Sequence, residues 1–130
     1  MNGFWLAAGL LITVSGFIHM ILGDRWIFNQ LDEAGLETHY SPEITKITLR
    51  WFWHVGSFMI FFNAVLVLLM ALTEGTIPAE NFIATLVIII YAGFISVLLL
   101  VNVENLRNLM QFPQLPLFMV FIVLLYLGFN

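Results

Sequence analysis

The sequence contains no cysteine and few charged residues. The absence of cysteine excludes disulfides, thiolate metal sites, iron–sulfur clusters and dithiol redox chemistry. Charged residues make up only 9% of the 130 residues, hydrophobic residues make up 62%, and the mean hydropathy is +1.01. A chain this apolar cannot fold around one soluble core and keep a polar surface. The composition therefore predicts an integral membrane protein that lies in a lipid bilayer.

Four apolar segments predict transmembrane helices. A helix needs about 20 mostly apolar residues to cross the hydrocarbon core of a bilayer. The predicted spans cover residues 3–22, 49–72, 82–101 and 112–129, of which the last is the shortest. Short loops between helices favour antiparallel neighbours. We therefore predict an all-α fold in which residues 1–130 form a single transmembrane domain, an up-down antiparallel bundle of four helices.

The first loop, roughly residues 23–49, is the longest polar segment. Its beginning has the spacing of a short amphipathic helix lying in the membrane interface, with apolar residues Trp26, Ile27, Phe28 and Leu31. Ser41 followed by Pro42 is typical of a helix start, with serine as the N-cap and proline in the first helical position. The second helix is therefore expected to begin before it enters the bilayer.

The positive charges of the chain predict its orientation. All of them lie in or beside the first and third loops, at Arg25, Lys46, Arg50 and Arg107. Positively charged loops resist translocation. In a bacterial inner membrane, both termini are therefore expected outside, and the loop between spans 1 and 2 and the loop between spans 3 and 4 are expected in the cytoplasm. The net charge is −4 and the chain has no clustered basic face, so nucleic acid is not an expected partner.

Two histidines lie near the cytoplasmic ends of the first two predicted spans. His19 and His54 are each about one turn from that end, and consecutive spans run antiparallel, so the two imidazoles are expected at similar depth. An ionisable residue in a span is costly unless it faces the bundle interior and finds a partner, so each histidine marks a candidate functional site. The alternative is structural, because a neutral histidine near a helix end can bind a carbonyl or interfacial water.

Small and polar residues accompany these histidines. Small residues let transmembrane helices approach closely, and those on the face of the first span that carries His19 are Gly9, Thr13, Gly16 and Gly23. On the second span, a spacing of four and then three residues places three polar positions on one face of the helix, and Trp51 and Trp53 lie to the sides of that face. The residues of that face are Arg50, His54 and Ser57.

In one hypothesis, His19 and His54 are the axial ligands of a haem b held between the first two spans. Imidazole is a common haem ligand, and electron transfer or a small redox reaction is the expected use. The glycines would admit the macrocycle, aromatic rings would wall it, and Arg50 with Lys46 or Arg25 would pair with the propionates. The remaining residues assigned to haem binding are Gly16, Gly23, Trp53 and Ser57.

Two other hypotheses use the same residues. In the second, His19, His54 and Asp24 bind one transition metal, with His39 as a further candidate ligand, and such a set suits Zn²⁺ or non-haem Fe²⁺. In the third, the polar residues form a buried network that binds no cofactor. The chain would then be a non-catalytic membrane subunit that packs against a larger complex or forms a homo-oligomer. The spacing of the two histidines leaves all three hypotheses open.

Several other functions are disfavoured by what the spans lack. Small four-helix multidrug exporters carry a carboxylate in the middle of the first span, whereas none of the predicted spans contains Asp or Glu. A channel would need a polar stripe along a whole helix, and none of the predicted spans has one. The chain also has no GxSxG, HExxH or glycine-rich phosphate loop, so it lacks the familiar hydrolase and nucleotide-binding signatures.

Two short stretches, GFIHMILGD at 16–24 and WHVGS at 53–57, carry a family resemblance. They resemble the paired signatures of small, largely uncharacterised bacterial four-helix membrane proteins. In these proteins the first span ends in His-x-x-x-Gly followed by Asp or Glu, and the second opens with Trp-His-x-x-Ser. The resemblance covers roughly the first 60 residues. The resemblance implies no reaction. It implies that six residues form one constellation, and these are His19, Gly23, Asp24, Trp53, His54 and Ser57.

Overall fold

The structure, a computed structural model, describes residues 1–34, 41–73, 79–102 and 114–129. Within these ranges the chain is helical apart from short turns and chain ends, and it contains no strand, which confirms the predicted all-α class. Two compact units are formed, one by Met1–Leu11 with Leu66–Asn130 and the other by Ile12–Val65.

The helices follow the apolar segments of the sequence. They are α1 (Gly3–Leu22), a π turn (Gly23–Ile27), α2 (Phe28–Ala34), α3 (Pro42–Leu72), α4 (Glu80–Val101) and α5 (Gln114–Leu127). Three continuous helical stretches are long and apolar enough to cross a membrane, and these are Gly3–Gln30, Pro42–Leu72 and Glu80–Leu100. Helix α5 is apolar but shorter, and residues 112–113 of the fourth predicted span lie outside the described residues.

The polar stretch after α1 differs from the prediction. A loop containing a short helix was expected from residue 23, and residues 26–31 are helical as predicted, but this helix continues α1 without a break from Gly3 to Ala34. The amide of Phe28 donates to the carbonyl of Gly23, five residues earlier, and this bond closes the π turn. A π turn places one extra residue in the helix and so changes the direction of the side chains that follow. Polar residues alone did not end the helix.

Helix α3 begins at the predicted signal, seven residues before the predicted span. The hydroxyl oxygen of Ser41 accepts a hydrogen bond from the amide of Ile44 at 3.3 Å, and Pro42 is the first helical residue. The serine therefore satisfies an amide that has no partner within the helix. The predicted N-cap is confirmed.

In the unit that contains both chain ends, the N-terminal residues tie together the ends of α3 and α5. The amide of Asn2 donates to the carbonyl of Ala71 at 3.0 Å, and its side chain donates to the carbonyl of Gly128 at 2.7 Å. The indole N–H of Trp5 donates to the carbonyl of Leu125 at 3.1 Å. These bonds give carbonyls at the ends of α3 and α5 a donor from the N-terminal residues.

Tyr91 is the centre of the contact between α4 and α5. Its side chain is fully buried, and its ring packs edge-on against Phe118 at 4.9 Å and Phe121 at 4.6 Å between centroids. Its hydroxyl has no hydrogen-bond partner among the described residues. A buried hydroxyl without a partner costs free energy, so this aromatic cluster is held by packing and not by the polar atom.

In the other unit, the second half of α1 packs antiparallel to the first half of α3. Gly16 lies against Ile60 and Phe61, His19 against Ser57, and Gly23 against Trp53. A Cβ at Gly16 would lie 3.0 Å from the ring of Phe61, which is tighter than ordinary van der Waals contact. The predicted role of these glycines in close helix approach is confirmed.

Candidate functional site

The site is built around Trp53 of α3, whose indole lies against the last turn of α1. The indole N–H donates to the backbone carbonyl of His19 at 3.0 Å. The indole also stacks on the imidazole of His19, with 4.0 Å between ring centroids and 5° between the planes. One side chain therefore holds both the backbone and the ring of His19, just before the π turn where the main-chain hydrogen-bond register changes.

Gly23 makes this close contact possible. A Cβ at Gly23 would overlap the five-membered ring of the Trp53 indole. Only glycine lacks a Cβ, so no other residue fits here unless the indole moves. Both glycines assigned to haem binding, Gly16 and Gly23, thus face aromatic side chains of α3 that fill the space beside them.

Ser57 fixes the orientation of the His19 ring. The Ser57 side chain is buried, and its hydroxyl oxygen lies 2.9 Å from Nδ1 of His19. The same hydroxyl donates to the backbone carbonyl of Trp53 at 3.2 Å. A serine hydroxyl has only one proton to donate. In the tautomer of His19 that carries a proton on Nδ1, the Ser57 oxygen accepts from Nδ1–H, and the lone pair of the neutral imidazole lies on Nε2.

The edge of the His19 ring next to Nε2 borders Gly56. A Cβ at Gly56 would lie 3.8 Å from Cε1 of His19, an ordinary van der Waals distance. His19 itself is half-buried. Within the described part of the chain, the hydrogen bonds of the His19 side chain are confined to Nδ1. The arrangement therefore presents Nε2 as a hydrogen-bond acceptor or a metal ligand.

Phe28 and Arg50 form an outer layer of the site. Phe28 is buried and packs edge-on against Trp53, with 6.1 Å between centroids. The guanidinium carbon of Arg50 lies 5.1 Å from the centroid of the Phe28 ring, within the range of a cation–π interaction. The contact joins the start of α2 to the first half of α3, and it was not anticipated from the sequence.

His54 follows Trp53 on α3, so it lies at the same level of the helix pair as His19. Its side chain is exposed, as is that of Arg50, whereas Ser57 is buried. The three residues were predicted to share a face, and of them Ser57 contacts α1 through the ring of His19. The predicted facing of His19 and His54 across a common ligand stays a prediction.

The third predicted metal ligand, Asp24, opens the π turn next to Gly23, and its side chain lies outside the described residues. The further candidate His39 lies outside them as well. In the described ranges no group of three or more His, Cys, Asp or Glu residues is arranged to hold a metal ion. Of the four predicted metal ligands, His19 and His54 are the two whose side chains the structure describes.

Comparison with known protein families, with curated proteins and with solved structures finds no match. The resemblance to small bacterial four-helix membrane proteins accordingly stays a prediction. Four of the six residues that it groups do lie together in the structure, and they are His19, Gly23, Trp53 and Ser57. Their contacts are the basis on which function is proposed.

Proposed function

We propose that this chain is an integral membrane protein with four spans in up-down order, of the bacterial inner membrane, with both termini outside. The proposal is supported by three helical stretches long and apolar enough to span a bilayer and by a fourth, shorter apolar helix. Large apolar side chains remain exposed along these helices, as expected where lipid is the solvent. The positive charges of the first and third loops support the orientation.

We propose further that His19 binds a transition metal through Nε2, with His54 as the second ligand. The hydrogen bond between Ser57 and Nδ1 of His19 carries this proposal. Metal-binding histidines commonly donate their other ring N–H to a fixed acceptor, which sets the tautomer and the direction of the ligand atom. Ser57 holds the imidazole in that way, and the stacked indole of Trp53 fixes the plane of the ring.

A single ion fits this site better than a haem. Haem b between α1 and α3 requires space at Gly16 and Gly23, and that space is occupied by the rings of Phe61 and Trp53. An ion needs only the ligand atoms, and Asp24 is next to Gly23 in the chain, so Asp24 is proposed as the third ligand. Zn²⁺ or Fe²⁺ suits such a set. Bound iron would supply one-electron chemistry, consistent with electron transfer or a small redox reaction.

The second candidate function is that of a non-catalytic membrane subunit, in a larger complex or a homo-oligomer. It is favoured by the completeness of the cluster, because Trp53, Ser57 and Gly23 already hold α1 against α3 through mutual contacts. It is also favoured by exposed aromatic side chains on α3, which are suited to packing against another protein as well as against lipid. These side chains are Trp51, Phe52, Phe58 and Phe62.

The experiment that separates the two candidates is metal analysis of the protein purified in mild detergent, with spectra of the oxidised and the dithionite-reduced sample. The metal proposal predicts a stoichiometric metal, lost in His54→Ala. Because the His54 side chain is exposed, this substitution removes a ligand without opening a cavity. Phe58→Ala, an exposed position one turn further along α3, is the matched control and should retain the metal.

The outcomes are distinct. A metal-loaded wild type with an empty His54→Ala variant supports the metal proposal. Full metal content in His54→Ala contradicts it. A sharp reduced haem spectrum would show that a macrocycle is accommodated and that Phe61 and Trp53 leave the positions described above. Wild-type protein that has neither metal nor chromophore, and takes up none from added Zn²⁺ or Fe²⁺, moves the subunit function to first place.

A further inference from the structure

A second candidate binding site lies beside the first half of α3, where it shares Phe28 and Arg50 with the outer layer of the histidine site. It is a cleft with a volume of about 370 Å³, lined by Phe28, Glu43, Lys46, Ile47 and Arg50. All but one of the lining residues come from the first turns of α3, and Phe28 comes from the start of α2. The cleft therefore forms where the two helices meet.

The cleft carries two positive charges and one negative charge. Lys46 and Arg50 are four residues apart on α3, so their side chains project from the same side of the helix. Glu43 stands one turn before Lys46 and two turns before Arg50, and it is the carboxylate of the cleft. Arginine presents a planar fork of donors that matches a phosphate, and lysine adds a compact charge. This donor chemistry of an arginine and a lysine on one side of α3 favours an anionic ligand with phosphate-like oxygens.

The walls of the cleft are apolar as well as charged. Phe28 is buried, with the Arg50 guanidinium over its ring, while Ile47 is 69% exposed. A small hydrated anion gains nothing from an isoleucine and a phenylalanine ring, whereas a lipid offers acyl chains beside its phosphate. The combination of cations with apolar walls therefore favours a lipid over a free ion.

The surroundings of the cleft are those of a membrane interface. Trp26 and Trp51 lie beside it in the chain, and their side chains are 66% and 60% exposed. Tryptophan is enriched at the level of the lipid headgroups. Basic pockets between helices at that level bind the headgroups of anionic lipids. This argument rests on the proposed placement in a membrane, and it does not use the proposed metal.

We propose that this cleft binds the phosphate of an anionic phospholipid, with Lys46 and Arg50 on the phosphate oxygens and Ile47 against the start of the acyl chains. Neither His19 nor His54 takes part. Loss of lipid binding and loss of metal binding can therefore be measured separately, on the same purified protein.

The test is native mass spectrometry of the full chain released from detergent micelles, titrated with phosphatidylglycerol or with phosphatidylcholine of the same acyl chains. The wild type should bind phosphatidylglycerol several-fold more tightly. The double variant K46Q/R50Q should lose about thirtyfold in affinity for phosphatidylglycerol, since each cation near the headgroup contributes about fivefold. Arg25→Gln, which removes one exposed cation that does not line the cleft, is the control and should lose far less affinity than the double variant.

Glu43→Gln keeps the test decisive if the double variant does not fold. This exposed position carries the carboxylate of the cleft, so its neutralisation should tighten phosphatidylglycerol binding by a few-fold. Equal affinity of the wild type for the two lipids overturns the proposal. So does an Arg25→Gln variant that loses as much as K46Q/R50Q, because the attraction would then be non-specific.

A final arm distinguishes lipid from free phosphate. Inorganic phosphate at millimolar concentration is added to the wild-type complex with phosphatidylglycerol. Retention of the lipid supports a lipid site. Complete displacement, together with tight phosphate binding that K46Q/R50Q abolishes, would make free phosphate the ligand and overturn the lipid assignment.

Discussion

The substitution Gly23→Ala tests the contact on which the site depends. An alanine Cβ at Gly23 would overlap the indole of Trp53, so either the indole or the helix must move. Forcing an extra carbon into a packed interface costs about 1–3 kcal/mol. Displacement of the indole also breaks its hydrogen bond to the His19 carbonyl, which is worth about 1 kcal/mol. The better helix propensity of alanine returns at most about 1 kcal/mol.

The net expectation for Gly23→Ala is a loss of about 1–3 kcal/mol in the free energy of unfolding. The assay is unfolding by titration with SDS in detergent micelles, followed by far-UV circular dichroism. The matched control is Gly93→Ala in α4, where an added Cβ would meet nothing within 4 Å. That variant should be as stable as the wild type or slightly more stable.

A double-mutant cycle sharpens the test. Trp53→Phe removes the five-membered ring that an alanine at position 23 would strike, so the two substitutions should not be additive. The loss in the free energy of unfolding of the double variant is expected to be about 1–2 kcal/mol smaller than the sum of the losses of the two single variants. If Gly23→Ala is as stable as Gly93→Ala, or if the two substitutions at the contact simply add, the described approach of α1 to α3 is wrong.

Three further substitutions test other parts of the account. Ser57→Ala should lower stability by about 1 kcal/mol and metal affinity about 10–100-fold, because Nδ1 of His19 loses its acceptor. The measurement is isothermal titration with Zn²⁺. The control is Ser96→Ala, at an exposed serine whose hydroxyl bonds to its own helix. Tyr91→Phe should leave stability unchanged or raise it by about 1 kcal/mol, because it removes a buried hydroxyl that has no partner in the described chain; a clear loss in the SDS titration would show that a partner exists. Trp5→Phe should cost about 1 kcal/mol in the same titration, because it removes the N–H donor to a carbonyl of α5, and a neutral result would contradict that bond.

The helices were largely predictable because apolar length is a strong signal. Helix α1 has the predicted bounds, and α4 begins two residues before its predicted span. The start of α3 was predictable from the Ser41-Pro42 pair, since capping depends on local chemistry. The π turn was not predictable. The stretch from Gly23 to Arg25 is polar enough to suggest a loop. The amino-acid composition of a helix does not determine where its hydrogen-bond register changes.

The membership of the site was more predictable than the roles of its residues. His19, Gly23, Trp53 and Ser57 were grouped by spacing and resemblance, and the structure brings them together. The space beside Gly23 was assigned to a cofactor, but it is filled by an indole. Which of several large groups fills such a space depends on side-chain rotamers and on the rotation of α3, and neither follows from the order of residues.

The rotation of α3 also explains the differing burial of its polar residues. The buried stripe of α3 contains Ser57, Ile60, Ala64 and Val67, and it continues the line set by Trp53. His54 lies about 100° around the helix from Trp53, at the edge of that stripe and outside it. Spacing predicted one side of α3 for the polar residues, but the apolar residues further along the helix determine which part of the helix meets α1.

We propose that Ser57 holds the proton of His19 on Nδ1 and leaves Nε2 for the metal. This proposal is tested most directly by nitrogen NMR of ¹⁵N-histidine-labelled protein in micelles, before and after addition of Zn²⁺. We expect an Nδ1–H tautomer for His19 in the metal-free protein and a large shift of the Nε2 resonance when the metal is added. A His19 ring protonated on Nε2 in the metal-free protein, or an Nε2 resonance that zinc leaves unchanged, would contradict it.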